Sequence, residues 1–182
     1  TLLPREIRRG KISLTEKLGN GAFGEVWKGV LDDEGNEYLV AVKTLLKETE
    51  ESMQEMMQEA IIMAQIGQHP HCVGVVGAVS AGAPKLLVLT FCEHGSLQGH
   101  LQSLASAGKP LGEAERLRAA HDVALGMIHL GSKGVIHRDR AARNVLVDSR
   151  MRCKVADFGL SRGGAAGATA EGGEEVYYRA KK

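Results

Sequence analysis

The chain has 182 residues, a formal net charge of +1, 43% hydrophobic and 25% charged residues. That composition describes a soluble globular protein of one domain or two small lobes, long enough to bury roughly 70% of its unfolded surface. The near-neutral balance provides no electrostatic footprint for nucleic acid or a lipid surface, and no apolar run approaches the roughly 20 residues that span a bilayer.

Residue 1 is Thr and no secretory signal follows, so the chain is expected to begin inside a larger protein. Residues 12–18 alternate as a strand, a Gly-rich turn follows, and residues 25–31 read as a second strand. Asp32-Asp33-Glu34-Gly35-Asn36 is a turn signal, and residues 38–43, "YLVAVK", are a short apolar strand. Over residues 50–66 the period changes. Met53, Met56, Met57, Ala60, Met63 and Ala64 repeat at three and four, which predicts an amphipathic helix. Residues 73–80 and 85–91 read as a strand pair.

Helices then dominate. Residues 97–104 are a short candidate. Residues 113–130 are a longer one, with Leu117, Val123, Ala124, Met127 and Leu130 on one side and Ser132-Lys133-Gly134 as its stop. Residues 135–147, "VIHRDRAARNVLV", set a charged turn between two apolar runs. Residues 151–156 and "DFGLSR" follow. Residues 163–175 are almost all Gly, Ala and Glu and are expected to form a long loop. Cys72, Cys92 and Cys153 are odd in number and lack metal-ligand spacing, so they read as reduced structural residues of a cytosolic domain.

Two stretches carry chemistry. Gly19-x-Gly21-x-x-Gly24 is a weak signal alone, because two nucleotide-binding folds use it. A dinucleotide fold needs a helix after Gly24 and an acid about 20 residues on. Here a strand follows, and the residues around Thr44 are Val42, Lys43 and Leu45. The loop therefore joins two strands, where glycines without Cβ let backbone N–H groups approach phosphate oxygens. Lys43 ends an apolar strand. Glu59 borders the apolar helix face and can point inward, where an unpaired charge is costly. Lys43 is its natural partner, and the pair would hold the ammonium toward phosphate.

Taken together, Gly19-x-Gly21-x-x-Gly24-x-Val26, Val40-Ala41-Val42-Lys43, Glu59, His137-Arg138-Asp139 with Asn144, and Asp157-Phe158-Gly159 stand in the order of the protein kinase family, which the whole chain resembles. The resemblance implies an α+β, two-lobed fold. Residues 12–90 would be an N-lobe with an antiparallel sheet and one helix, and residues 91–95 the hinge. Residues 96–182 would be a mainly helical C-lobe, incomplete after the activation loop. It implies ATP and Mg²⁺ as cofactors. Lys43 and Glu59 would meet the phosphates, Asp139 would accept the substrate hydroxyl proton, and Asn144 and Asp157 would hold the metal. Leu18, Gly19, Asn20, Gly21, Ala22, Phe23, Gly24, Val26, Ala41, Leu89, Thr90, Cys92 and Leu146 would line the nucleotide, with Leu89 as gatekeeper and Thr90, Phe91 and Cys92 as hinge. His137 would pack with Phe158, Met63 and Val75 rather than act in catalysis, and Arg138 would pair with a phosphorylated activation loop.

Ala141-Ala142-Arg143-Asn144 is similar to the tyrosine kinase group, with Arg143 helping to place a phenol. Tyr177 and Tyr178, above all Tyr178, would be autophosphorylation sites. Implied partners are protein substrates with tyrosine and a transient second copy, in the cytoplasm or as the intracellular part of a receptor. A nucleotide-binding scaffold without activity is the alternative, and a serine/threonine kinase the third reading. Two departures stand out. Residue 140 is Arg where the family has a packed Leu, so its guanidinium must snorkel out or distort the loop. The chain also stops before the helices that complete the lower lobe, which predicts an exposed apolar face and weak activity of the piece alone.

Overall fold

A computed structural model describes residues 3–20, 24–45, 47–159 and 161–163. Tyr177, Tyr178, Gly21, Ala22 and Phe23 lie outside the described residues. A five-stranded antiparallel sheet is built from β1 (Ile12–Asn20), β2 (Gly24–Asp33), β3 (Asn36–Leu45), β4 (Val75–Val79) and β5 (Leu86–Thr90), in the order β1-β2-β3-β5-β4. β3 is the central strand, and its residues alternate: Val40 and Val42 on one face are fully enclosed with Leu31, Val79 and Val88, while Ala41 and Lys43 on the other face are half-buried.

Helix α1 (Glu50–Ile66) crosses from β3 to β4. Thr49 caps it, accepting from Ser52 N–H at 3.2 Å while Ser52 Oγ accepts from Thr49 N–H at 3.1 Å. Its buried face is Met56, Glu59, Ala60, Ile62, Met63 and Ile66. That corrects the predicted face. Met53 and Met57 are exposed, because the helix turns its Ile62 and Ile66 side to the core and leaves those two methionines above a groove against β4 and β5.

Helix α2 (Leu97–Ser106) starts at Ser96, whose Oγ accepts from Gly99 N–H at 3.1 Å. Helix α3 (Glu113–Ser132) buries Gly126 and Leu130, with Val123 and Met127 against the same core. Leu117, expected on that face, is 64% exposed. With Ala124, also expected inside, and Ile128 it forms an outward stripe of α3, while Ala119 and Val123 pack against Val145 and Cys153. The short strands are β6 (Val135–Ile136), β7 (Val145–Val147), β8 (Cys153–Val155) and β9 (Arg162–Gly163), pairing β7 with β8 and β6 with β9. The β6–β9 pair, absent from the sequence reading, returns the chain after Gly159 to the strand that leads into the charged turn.

One buried cluster joins the two halves: Ile62, Met63 and Ile66 of α1 meet Leu130 of α3, Val155 and Phe158. The connection from α1 to β4 is clamped there. Val73 N–H donates to Val155 C=O at 2.8 Å and Val155 N–H to His71 C=O at 2.9 Å. A Cβ on Gly126 would overlap that His71 carbonyl, so a glycine at this point lets α3 approach. Among the described residues no helix is long and apolar enough to cross a membrane. Leu117, Ile128 and Ile136 are exposed.

Candidate active site

β3 aims Lys43 at α1. Its Nζ donates to both Glu59 oxygens, at 2.8 and 2.6 Å, and the side chains are 13% and 4% exposed. The register Val26↔Lys43↔Leu87 and Lys28↔Ala41↔Leu89 sets Val26 and Ala41 on neighbouring strands, with Leu89 directly opposite Ala41. Val26, Ala41, Leu89 and Leu146 are all half-buried, and Leu18 is 46% exposed on the edge strand. Leu146 reaches this region because β7 leads back under the hinge: Ser96 bridges Leu146, and His94 N–H donates to Val147 C=O at 3.1 Å.

The two described glycines of the hairpin differ. A Cβ on Gly24 would overlap the Thr44 carbonyl across the sheet, so Gly24 is required by the β2–β3 approach. A Cβ on Gly19 would meet nothing within 4 Å. Asn20 pairs with Glu25 at the described end of the hairpin. A contact the sequence reading missed closes its stem: Lys17 Nζ lies 2.5 Å from Glu25 Oε1, and Trp27 Nε1 donates to Glu25 Oε2 at 3.0 Å. Lys17 and then Trp27 hold the Glu25 carboxyl below its usual range. Opposite charges on antiparallel strands flanking a glycine turn were the available signal.

In the hinge, Thr90 and Gly74 exchange hydrogen bonds. Thr90 N–H donates to Gly74 C=O at 3.0 Å, and Gly74 N–H to Thr90 Oγ1 at 3.1 Å. Cys92 is 7% exposed, and burial pushes its thiol up to about 12. All three cysteines are free and buried, as expected. The Cys92 N–H makes no backbone hydrogen bond among the described residues. An adenine acceptor fits such a donor.

The charged turn between β6 and β7 is the centre of the site. Asp139 accepts from Asn144 Nδ2 at 2.8 Å and from Arg143 Nη2 at 2.7 Å. Asn144 first, and Arg143 with it, hold the Asp139 carboxyl below its usual range, against the opposing effect of burial. Asn144 is 7% exposed. Its Nδ2 also donates to Asp139 C=O at 2.9 Å, and its own C=O accepts from Ala156 N–H at 2.9 Å. That last bond ties the turn to the strand leading into Asp157. Asp157 is exposed with φ +60°, in the left-handed region, and its carboxylate has no hydrogen-bond or ion-pair partner among the described residues. A side-chain amide oxygen just before β7 and a carboxylate just after β8 are the hard oxygen donors that suit Mg²⁺.

His137 is 2% exposed. Its Nε2–H donates to Ala156 C=O at 2.8 Å, its Nδ1 accepts from Asp139 N–H at 3.3 Å, and its ring centroid lies 5.5 Å from that of Phe158. With both nitrogens engaged and Phe158 fully buried beside Met63 and Val75, it packs as expected. Arg138 has φ +70° and an exposed side chain. Arg140 is exposed too, at the mouth of a cavity of about 550 Å³ lined by Leu97, Leu101, Val123, Met127 and Val145. The guanidinium therefore snorkels into solvent. This cavity lies beneath the catalytic turn against α2 and α3, apart from Lys43.

A sequence model of the family described as "Protein tyrosine and serine/threonine kinase" matches residues 12–178. Ephrin type-B receptor 5 of Gallus gallus is 41% identical over 87% of this chain and 16% of its own length. Tyrosine-protein kinase Abl of Drosophila melanogaster is 42% identical over 86% of this chain and 9% of its own. Tyrosine-protein kinase FRK of Homo sapiens is 40% identical over 86% and 30%. The chain thus spans less than a third of each of these relatives. Motif order, lobe architecture and this match agree, and the chain belongs to the protein tyrosine and serine/threonine kinase family.

Proposed function

We infer that the chain transfers the γ-phosphoryl group of ATP to tyrosine hydroxyls of proteins. The observation that carries this reading is the Asp139 carboxylate, held as an anion by Asn144 and Arg143 on a turn whose main chain is bonded to the Asp157 strand. Residues 12–90 serve as the N-lobe, 91–95 as the hinge and the residues from 96 onward as the second lobe. ATP would sit between β1, β2 and the hinge, against Leu18, Val26, Ala41, Leu89 and Leu146. The described Gly19, Asn20 and Gly24 line its approach, and Thr90 and Cys92 meet the base.

Lys43, locked by Glu59, presents a fixed ammonium to phosphate oxygens. Asn144 and Asp157 would hold Mg²⁺, which neutralises charge on the transferring phosphoryl group. Asp139 takes the proton of the attacking hydroxyl and orients it. Its lowered proton affinity keeps it ionised at neutral pH, so orientation outweighs basicity in its role. Arg143, paired to Asp139 but 59% exposed, is placed to meet the phenol. The printed names of the relatives, tyrosine kinases among them, support the choice of tyrosine. Tyr177 and Tyr178 would receive phosphate from a second copy, with Arg138 as their cation. ATP as donor and three reduced, buried thiols fit a cytoplasmic place of action.

The test is incubation with ATP and Mg²⁺ beside Asp139→Asn, with phosphate mapped by mass spectrometry. Phosphotyrosine absent from the variant is expected. Nucleotide binding with no transfer would favour a scaffold, and phosphate confined to serine or threonine would overturn the tyrosine assignment.

A further inference from the structure

The β2–β3 hairpin carries an acidic cluster, in which Lys11 pairs with Asp32 and Arg5 with Asp33 while Glu34 and Glu37 stay exposed. Asp32, Asp33, Glu34 and Glu37 fall within six residues, and Tyr38 follows at once. Residues 34–39 are all exposed, Tyr38 by 39%. β3 pairs with β2 along this stretch, Leu31↔Tyr38, but its pairing with β5 begins only at Val40↔Thr90. The outer edge of the segment carrying Tyr38 is therefore open among the described residues. Around Asp139, by contrast, Arg138, Arg140 and Arg143 are all exposed. An acidic, open-edged strand end and a cationic catalytic rim are complementary.

We propose that Tyr38 is a substrate tyrosine of this chain, phosphorylated by a second copy whose Arg138, Arg140 and Arg143 receive the acidic hairpin, and that Arg5 is the cation that then holds the phosphate. The proposal rests on the kinase reading above. Tyr38 cannot serve its own site: it lies five residues from Lys43 on one sheet-bound strand, about 17 Å along it. In the transfer the Tyr38 oxygen bonds to the γ-phosphorus of ATP, and the bond from that phosphorus to the β–γ bridging oxygen breaks. ADP leaves with the electron pair, and the phenolic proton passes to Asp139 of the second copy and on to solvent.

The receiving cation is already in place. Arg5 donates to both Asp33 oxygens, at 3.0 and 2.6 Å, and the Tyr38 hydroxyl donates to Asp33 Oδ2 at 3.4 Å. Arg5 belongs to a segment that runs parallel alongside β4: Ile7 N–H donates to Ala78 C=O at 2.7 Å and Ala78 N–H to Arg5 C=O at 2.8 Å, a strap on the sheet edge. A phosphate of about −2 charge beside Asp33 draws on the same guanidinium and tightens the strap.

The experiment mixes the active chain with an isotopically heavy Asp139→Asn copy, ATP and Mg²⁺, and maps phosphate on the heavy copy. Phosphate on its Tyr38, formed more slowly as salt is raised to about 0.5 M, is expected. Tyr38→Phe should lose only that site. Hydrogen exchange of the Ile7 and Ala78 amides should slow in the Tyr38 phosphoform. Phosphate on Tyr177 or Tyr178 of the heavy copy with none on Tyr38 overturns this inference and leaves the kinase reading intact. Phosphate on no tyrosine of either copy overturns both.

Discussion

Glu59 grips Lys43 with both carboxylate oxygens, across 16 residues of sequence and from a position 4% exposed. The pair fixes α1 against β3 and fixes the ammonium within the site. Its two members carry different liabilities when cut, because each leaves the other charged and partly enclosed. Glu59→Gln is expected to lower phosphotransfer by about 100-fold through misplacement of Lys43. It should cost about 2 kcal/mol of stability, less than a fully buried pair since Lys43 keeps 13% exposure. Steady-state kinetics and urea unfolding check the two figures separately.

Asp139 has its proton affinity lowered first by Asn144 and then by Arg143. Its contribution to stability is present above its unfolded-state value and is lost as pH falls through the lower, folded value. Its charge thus persists into acid where an ordinary aspartate has titrated. Asn144→Ala should move its titration upward more than Arg143→Ala does. Carboxyl-carbon NMR of the folded protein reads both shifts, and the reverse order would refute the assignment of causes.

His69 and His129 stack at 4.2 Å with an interplanar angle of 9°, between the α1–β4 connection and α3. His129 Nε2–H donates to Ile66 C=O at 2.9 Å, and His71 and Lys154 add positive charge nearby. Burial first, then His129, His71 and Lys154 hold His69 below its ordinary range. Below about pH 6.5 the unfolded chain therefore binds more protons than the folded one, and stability falls as pH falls. His129→Phe keeps a ring that stacks but cannot charge. Denaturation midpoints at about pH 7.5 and about pH 5.5 should differ less in that variant than in the wild type.

Gly24 and Gly19 make opposite predictions from the same motif. Gly24→Ala drives a methyl into the Thr44 carbonyl and should destabilise by about 2–3 kcal/mol, whereas Gly19→Ala meets open space. Any effect of Gly19→Ala should appear in the KM for ATP and leave the thermal midpoint within a degree or two of wild type, since surface changes are worth about 0.5 kcal/mol or less.

Arg140 places a charge at the mouth of an apolar cavity. Arg140→Leu puts a branched apolar side chain beside Leu101 and Met127 and should stabilise by about 1 kcal/mol, a fraction of a full leucine burial. A urea midpoint below that of the wild type would show that the guanidinium holds the turn by a contact of its own.

Much of the site was legible because its parts are local. Helix α1 starts and ends where its period says, at Glu50 and Ile66. Lys43 and Glu59 were paired on the argument that an inward carboxylate needs a cation, and they meet. Which face of α1 is buried was not legible. Methionines and isoleucines are both apolar, and only the position of β4 and β5 decides that Met53 and Met57 stay outside. Leu117 misled for the same reason: α3 is rotated so that Ala119 and Val123 meet Val145 and Cys153, which turns Leu117 and Ala124 outward.

By itself the amino-acid order determined the longer elements, the family and the identity of the chemical groups, since periodicity and motif spacing are properties of neighbouring residues. The tertiary structure alone decided the couplings. Asn144 bonds to Asp139 on one side and to the strand before Asp157 on the other, and Lys17 closes on Glu25 across the glycine hairpin. Tyr38 stands at an open edge beside Arg5. Such contacts depend on sheet register and on which main-chain groups remain unpaired after packing, and neither is encoded by any short run of residues.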